Sequence, residues 1–319
     1  MKKEVVNNQN HNVMMLRSAK WFKVLKRQIP LQLMVLPGIV FMIVFSYIPI
    51  YGLTIAFKNY TVVSKLSTAE WVGLYHFKII LGDKYFWDSV FNTLGISFMK
   101  LLTGFPMCIL LAVMIYEVKE GPFKKITQTI SYLPHFLSWI VLGGMIISWL
   151  STTGLFNQVL MFFGFIEEGR NILLDADKYW FIASLSDIWK ETGWGTILYL
   201  ASMAGIDPTY YEAARIDGAS RAKQIRYITL PLITPTISLT LILSISGLLG
   251  SNLDQTLVLM NSQNQPRAEV ISSYVYRMGL AQGDFSYATA AGLGLSIVSV
   301  ILLVTANLFI KKLNKQSIL

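Results

Sequence analysis

The sequence predicts an all-α polytopic membrane protein with six transmembrane helices and a helix-turn-helix exposed to the cytoplasm. Three observations carry this. Of 319 residues, 54% are hydrophobic and only 14% charged, where soluble domains have roughly 25% charged; the mean hydropathy is +0.51. A chain this apolar cannot cover itself with polar groups, so its solvent is lipid. The charges that exist lie between long apolar runs, and Lys and Arg are unevenly shared between alternate loops, as the positive-inside rule requires.

Residues 1–30 read as a cytoplasmic tail. They hold Lys2, Lys3, Arg17, Lys20, Lys23, Lys26 and Arg27 and lack the apolar core and small-residue site of a secretory signal. No charge occurs from Gln28 to Phe57, which sets span 1 at Leu31–Leu53, with Pro37 and Pro49 as kinks or ends. Residues 58–88 mix charges with Trp71, Tyr75, Tyr85, Phe86 and Trp87 and read as an aromatic interfacial loop. Span 2 is Val90–Ile115, then Gly121-Pro122 makes a turn, and span 3 is Ile126–Leu150 with Pro134 as a kink. Residues 151–178 form a polar loop. Span 4, Tyr179–Gly205, is the least apolar of the six. Span 5 is Leu232–Asn252, residues 253–284 form another polar loop, and span 6 is Phe285–Ile310. The membrane domain is thus 31–310, and 311–319 is a second short cytoplasmic tail.

One set of loops (the first tail, 117–125, 206–231 and the last tail) holds 17 Lys and Arg, and the opposite set holds 8. Both termini and the segment 206–231 therefore belong in the cytoplasm. The net charge of +9 does not indicate nucleic acid, because apolar runs of twenty or more residues break up the basic groups. The single cysteine, Cys108, excludes an internal disulfide, and His11, His76 and His135 are too scattered for a histidine-rich metal site. Membrane enzymes need a constellation such as paired carboxylates or HExxH, which is missing. An ion-coupled secondary carrier would show inverted repeats and span-centre carboxylates, and no internal repeat is visible.

Segment 206–231 has helix-turn-helix chemistry. Asp207 suits an N-cap and Pro208 the first helical position. Glu212 lies in the next turn, Ala213 and Ala214 let another surface approach closely, and Gly218 supplies the turn. Ser220 can cap a second helix, 221–229, which Leu230-Pro231 ends before span 5. Physics alone allows two uses: a protein-docking hairpin, or a basic helix resting on anionic lipid.

Glu212-Ala213-Ala214, Asp217-Gly218-Ala219, and Ile228-x-Leu230-Pro231 resemble, in spacing throughout, the EAA loop of binding-protein-dependent ABC importer permeases, in its sugar-permease form. The resemblance covers most of the chain. Trp71-Val72-Gly73-Leu74, with Phe86-Trp87 and Phe91-Asn92-Thr93, looks like the opening of sugar permeases. Asp187-Ile188-Trp189-Lys190, Gly193-Trp194-Gly195, Tyr199-Leu200-Ala201 and Val275-Tyr276-Arg277 are similar to the branch that imports complex oligosaccharides. Two departures are Ile225, where an aromatic is usual, and Leu253-Asp254-Gln255 in place of Phe-Glu-Gln.

The resemblance implies a type I importer permease fold and a multi-pass subunit of the bacterial cytoplasmic membrane. This chain would provide half of a carbohydrate pathway, with a second permease as the other half. Two cytoplasmic ATPases would dock on the hairpin, and an extracellular solute-binding protein would deliver substrate. ATP and Mg would sit on the partner ATPases, with no cofactor on this chain. An amino-acid importer is the nearer rival, which the Asp217-Gly218-Ala219 form and the aromatic first loop disfavour. Ionisable groups inside a span are costly and so are functional candidates: Lys100, Asp187, Lys190 and Glu191. Alternatively they pair with one another or snorkel. Trp189, Trp194 and Tyr199 are candidate sugar contacts, as are Asn252, Asp254 and Gln255 at the outer end of span 5. Lys100 and Lys190 also hint at an acidic saccharide.

Overall fold

A computed structural model describes residues 28–29, 31–250 and 253–314. It divides into two units, Met1–Thr54 and Ile55–Leu319. Helix α1, Leu31–Phe57, begins in the first unit and runs four residues past the expected end of span 1. It passes through a π-turn at Ile43–Tyr47 and a 3-10 stretch at Ile48–Phe57. Pro49 lacks an N–H, so the α-helical ladder cannot run through this point.

In the second unit, a small antiparallel hairpin pairs β1, Lys58–Asn59, with β2, Glu70–Trp71. The Phe57 and Trp71 rings stack at its base, 5.7 Å apart. Helix α2, Tyr75–Gly82, leads into α3, Lys84–Glu117, a rod of 34 residues, about 50 Å long at 1.5 Å per residue. The Asp83 carboxylate caps it, accepting the Tyr85 N–H at 2.8 Å.

Span 3 requires correction. Pro134 does not merely kink a helix. The chain forms α4 over Pro122–Tyr132, a 3-10 turn at Leu133–Phe136, and α5 over Trp139–Leu150, whose N-terminal Val141 N–H is capped by Ser138. The long apolar stretch is Trp139–Phe162, ending in α6, Leu155–Phe162. It therefore lies later than Ile126–Leu150, and part of the expected polar loop 151–178 is helix.

Helix α7, Tyr179–Ala204, matches span 4 closely. It packs along α3 and against the 3-10 turn at 133–136. At Gly193 the approach is so close that an added Cβ would stand 1.8 Å from the Ser131 carbonyl oxygen.

Past α7 come α8, Pro208–Ile216, α9, Arg221–Gln224, a π-turn at Ile225–Thr229 and α10, Leu230–Leu232. The expectation that Leu230-Pro231 ends the second helix fails. The helical path runs from Arg221 through Leu232 and then bends by 62° into α11, Thr234–Ser246. The widened turn at 225–229 precedes Pro231, whose ring would otherwise meet the carbonyl four residues back. Pro235 repeats the conflict beyond Ile233, and there the axis turns.

The 253–284 stretch, expected as a polar loop, is largely helical: α12, Leu253–Leu259, α13, Gln265–Ala268, and α14, Ile271–Tyr276. Its amides replace ladder bonds: the buried Asn264 side chain donates to the Leu173 carbonyl at 2.9 Å and the Leu259 carbonyl at 3.1 Å. Helix α15, Phe285–Asn314, closes the described chain.

Three buried clusters hold this unit. Trp139, Leu142, Tyr179, Ile182 and Leu259 join α5, α7 and α12. Tyr274, Tyr287 and Ala290 join α14 to α15. Ala112, Tyr199, Met203 and Ile233 lock α3, α7 and the bend together. Among the described residues, four helices are long and apolar enough to cross a membrane: Leu31–Phe57, Lys84–Glu117, Trp139–Phe162 and Phe285–Thr305. The bent pair 221–246 makes a fifth if it counts as one span.

Candidate functional site

The hairpin folds as its residue chemistry dictates. Asp207 accepts the Thr209 N–H at 2.9 Å and caps α8. That amide bond, with the Thr209 side chain, holds the Asp207 carboxyl below its ordinary pKa. The Ala219 N–H bonds to the Ala214 carbonyl at 2.8 Å and the Gly218 N–H to the Arg215 carbonyl at 3.1 Å. These two bonds form a Schellman motif around Gly218, whose φ of +75° a side chain would resist. Ser220 does not cap α9 through its side chain as expected; instead the Gln224 side chain reaches back to the Ala219 carbonyl at 2.9 Å. A hydroxyl bond of 2.9 Å between Tyr211 and Thr229 closes the hairpin.

Every residue of α8 is exposed or half-buried. Glu212, Ala213, Asp217, Gly218 and Pro231 are exposed, while Ala214, Ala219, Ile228 and Leu230 are half-buried. Leu230 packs on the cluster around Met203. Among the described residues, the side chains of Glu212 and Asp217 have no hydrogen-bond or ion-pair partner, and Ile216 is 87% exposed. What the chain leaves open here is a surface of mixed charge, with the carboxylates of Glu212 and Asp217 beside Arg215 and Lys223 and the apolar Ile216 among them.

The intramembrane candidates behave in the opposite way. A cleft of about 730 Å³ opens between α3, α7 and α11, and Lys100, Asp187, Glu191, Trp194 and Tyr199 are among its lining. Lys100 Nζ lies 3.2 Å from an Asp187 oxygen and donates to Gln255 Oε1 at 2.7 Å. The buried Gln255 amide donates in turn to the Ala183 carbonyl at 2.7 Å and the Ser186 hydroxyl at 2.9 Å. One ammonium thus joins α3, α7 and α12.

Lys190 is turned away from the cleft. Its ammonium donates to the His135 carbonyl, lies 3.5 Å from Glu191 and sits 5.9 Å above the Trp139 ring. The other Glu191 oxygen bonds His135 Nδ1 at 2.7 Å. The imidazole lies flat on Trp194, with centroids 4.4 Å apart and planes within 5°. Trp194, 45% exposed, offers its indole to the cleft. The Tyr199 hydroxyl is occupied by Thr240 at 2.7 Å.

Trp189 does not line the cleft and packs on Trp149, 5.9 Å away. Asp254 is exposed and apart from these groups, so only Gln255 of the three outer candidates joins the cluster; Asn252 lies outside the described residues. Sequence reasoning missed His135 and Ser186. A signal existed for Ser186: Ala183, Ser186, Asp187, Lys190 and Trp194 recur at intervals of three and four and share one face of α7. Nothing local marks His135, which a distant helix brings in. Among the described residues, no group of three or more His, Cys, Asp or Glu could hold a metal ion.

A third polar knot ties the α2–α3 junction to α14 and α15. Asp83 accepts from the Tyr274 and Tyr287 hydroxyls at 2.5 and 2.7 Å. Burial pushes its carboxyl up, but these bonds and the Tyr85 and Phe86 amides outweigh it and hold the pKa below the ordinary value.

The family model for the binding-protein-dependent transport system inner membrane component matches residues 104–315. The polygalacturonan/rhamnogalacturonan transport system permease protein YteP of Bacillus subtilis (strain 168) is 40% identical over 289 residues, covering 90% of this chain and 89% of its own. The fold is similar to that in a crystal structure of a bacterial ABC transporter involved in the import of the acidic polysaccharide alginate, with a TM-score of 0.85 and 36% identity, covering 92% of this chain and 99% of that one. A structure of the bacterial alginate ABC transporter in complex with alginate pentasaccharide-bound periplasmic protein gives the same score and identity over 93% and 99%. The family model covers about two thirds of the chain, and a relative is 40% identical over 90% of it, so the chain belongs to the family of binding-protein-dependent transport system inner membrane components.

Proposed function

We propose that this chain is the transmembrane permease subunit of an ATP-driven importer and furnishes half of the pathway for an oligosaccharide. It crosses the membrane six times, α7 and the segment from Leu232 through α11 completing the set, with both termini in the cytoplasm. Two ATPase subunits dock on the hairpin 208–229, a second permease forms the other half, and an external solute-binding protein delivers the cargo. Acidic saccharides are the first class to test, since the alginate transporter is described as importing an acidic polysaccharide and YteP is named for polygalacturonan and rhamnogalacturonan.

The observation that carries the reading is the contrast between the Glu212 carboxylate, exposed on the hairpin and without a side-chain partner among the described residues, and the paired charges of the cleft. A carboxylate left open on a well-formed motif suits a partner's basic or amide group. Lys100 and α7 line the route, and Trp194 gives a sugar ring a flat apolar face. ATP binding draws the hairpins together and shifts the spans between two access states, a bistable element biased by ligand on both sides.

The test is to purify the complex with its neighbouring subunits and measure ATP hydrolysis in proteoliposomes with the binding protein and either uronate or neutral oligosaccharides. Stimulation by a saccharide supports the reading. If only an amino acid or another non-sugar solute stimulates, the importer assignment stands and the sugar assignment falls.

A further inference from the structure

The hairpin is joined to α7 and α11 by the chain itself, but its contact with α3 is made by side chains alone. Arg221, the first residue of α9, donates from Nη1 to the Glu117 carboxylate at 2.7 Å. Glu117 is the last residue of α3. Beside this pair, Tyr116 lies next to Tyr211 of α8, and Tyr211 is fastened to Thr229.

Neither charge suits its own helix. A carboxylate at a C-terminus and a guanidinium at an N-terminus both oppose the helix dipole. The two unfavourable placements offset each other only when the residues meet. Nor is the pair a strong brace: Arg221 is 77% exposed at its side chain, and exposed pairs contribute about 0–1 kcal/mol. Its placement therefore points to position rather than stability.

What the pair positions is α3. Seventeen residues beyond Glu117 toward the N-terminus, α3 carries Lys100, which ties the cleft wall to α7 and α12. At its far end Asp83 is tied to Tyr274 and Tyr287. Between Glu117 and Lys100 lies Pro106, which removes one ladder bond and marks where the rod can flex.

We propose that the Arg221–Glu117 pair is a strut through which movement of the hairpin enters α3 and shifts the cleft wall. This rests on the hairpin being the ATPase contact. Arg221 and Glu117 are positioning residues and touch no substrate. When the hairpin is drawn sideways, α7 and α11 follow by covalent connection. The lower half of α3 follows through the strut, and Pro106 takes up the angle.

The test uses the complete transporter and Cys108, the chain's single cysteine, which is half-buried in the cleft wall on α3. The labelling rate of this subunit by a fluorescent maleimide is measured before and after trapping with MgATP and vanadate. Wild type, Glu117→Arg, Arg221→Glu and the Glu117→Arg/Arg221→Glu double variant are compared. Trapping should change the wild-type rate. Each single variant should lose that change by about fivefold, the low end of ordinary coupling between sites. The double variant should recover it, since the swapped charges suit both helix dipoles. Single variants that respond like wild type, or a double variant that stays unresponsive, overturn the strut. Loss of the ATPase subunits from a single variant on purification would make the pair a docking contact and overturn it too. If the wild-type rate itself does not respond to trapping while ATP is hydrolysed, the coupling reading of the hairpin fails first.

Discussion

Asp187, Lys190 and Glu191 on α7 and Glu212, Asp217 and Lys223 on the hairpin are similar residue types, and the fold treats them in opposite ways. Each of the first three meets an opposite charge or a histidine within 3.5 Å. The side chains of the second three meet no hydrogen-bond or ion-pair partner among the described residues. Water solvates the hairpin charges for nothing, so they remain open to another protein. An ion shielded from water without a partner costs several kcal/mol, so α7 keeps its charges only by pairing them. Pairing inside and openness outside mark two kinds of work: holding the helices of one chain together, and meeting a second chain.

The comparison breaks first at Lys100. Lys100→Met would leave Asp187 without its cation and the Gln255 oxygen without its donor. The expected cost is about 3–5 kcal/mol, as for removal of one partner from a buried pair. It should appear as a large fall in the melting temperature of the detergent-solubilised protein. Lys100→Met with Asp187→Asn should recover much of it. If the single variant melted like wild type, the cluster would not be holding α3, α7 and α12 together.

Gly193 gives the next largest effect. Gly193→Ala places a methyl 1.8 Å from the Ser131 carbonyl oxygen, a backbone atom that cannot rotate away. Overpacking of this kind costs roughly 1–3 kcal/mol, and here it would also part His135 from Glu191 and Trp194. Quenching of the indole by the stacked imidazole should weaken, and Trp fluorescence of the variant reports it.

Asp83 sharpens the contrast through pH. Its folded pKa is depressed, so its contribution is complete above the ordinary carboxylate range and lost as pH falls through the folded value. Asp83→Asn should cost about 1–2 kcal/mol near neutral pH by leaving two tyrosine hydroxyls with a poorer acceptor. The gap between wild type and variant should narrow between about pH 5 and pH 3. A constant gap would mean that the carboxylate's charge is irrelevant to the knot.

Much of this was legible in the sequence because lipid and turns impose local rules. Charge-free runs marked α1 and α15 and a long apolar run marked α3, and Asp207, Pro208 and Gly218 stand where N-cap, first-turn and Schellman chemistry require. The failures have a common cause. Pro134 and Pro231 carry the same local signal, yet one separates two helices and the other sits inside a helical path, because a π-turn can absorb the second conflict. Asn264 and Gln255 read as loop residues. Tertiary packing instead uses their amides to satisfy carbonyls from α7 and from the 172–174 turn. His135 joined Glu191 from 56 residues away, a separation at which no spacing rule operates.

The smallest effect on the fold belongs to Gly218, and there the comparison is most exposed to refutation. Nothing stands within 4 Å of a Cβ built on Gly218. Gly218→Asp therefore costs only the left-handed backbone, about 1 kcal/mol and less for Asp than for most residues. Insertion, melting temperature and the Tyr211–Thr229 closure should survive. Uptake should not, because the surface that the Schellman turn presents is shaped for another protein, and a new carboxylate beside Glu212 and Asp217 would alter both its contour and its charge. Measured together, near-wild-type melting with lost uptake locates the function in the partner contact. Normal uptake with normal ATPase recruitment would mean that the open face of the hairpin is merely solvated, and the lipid-resting alternative would return.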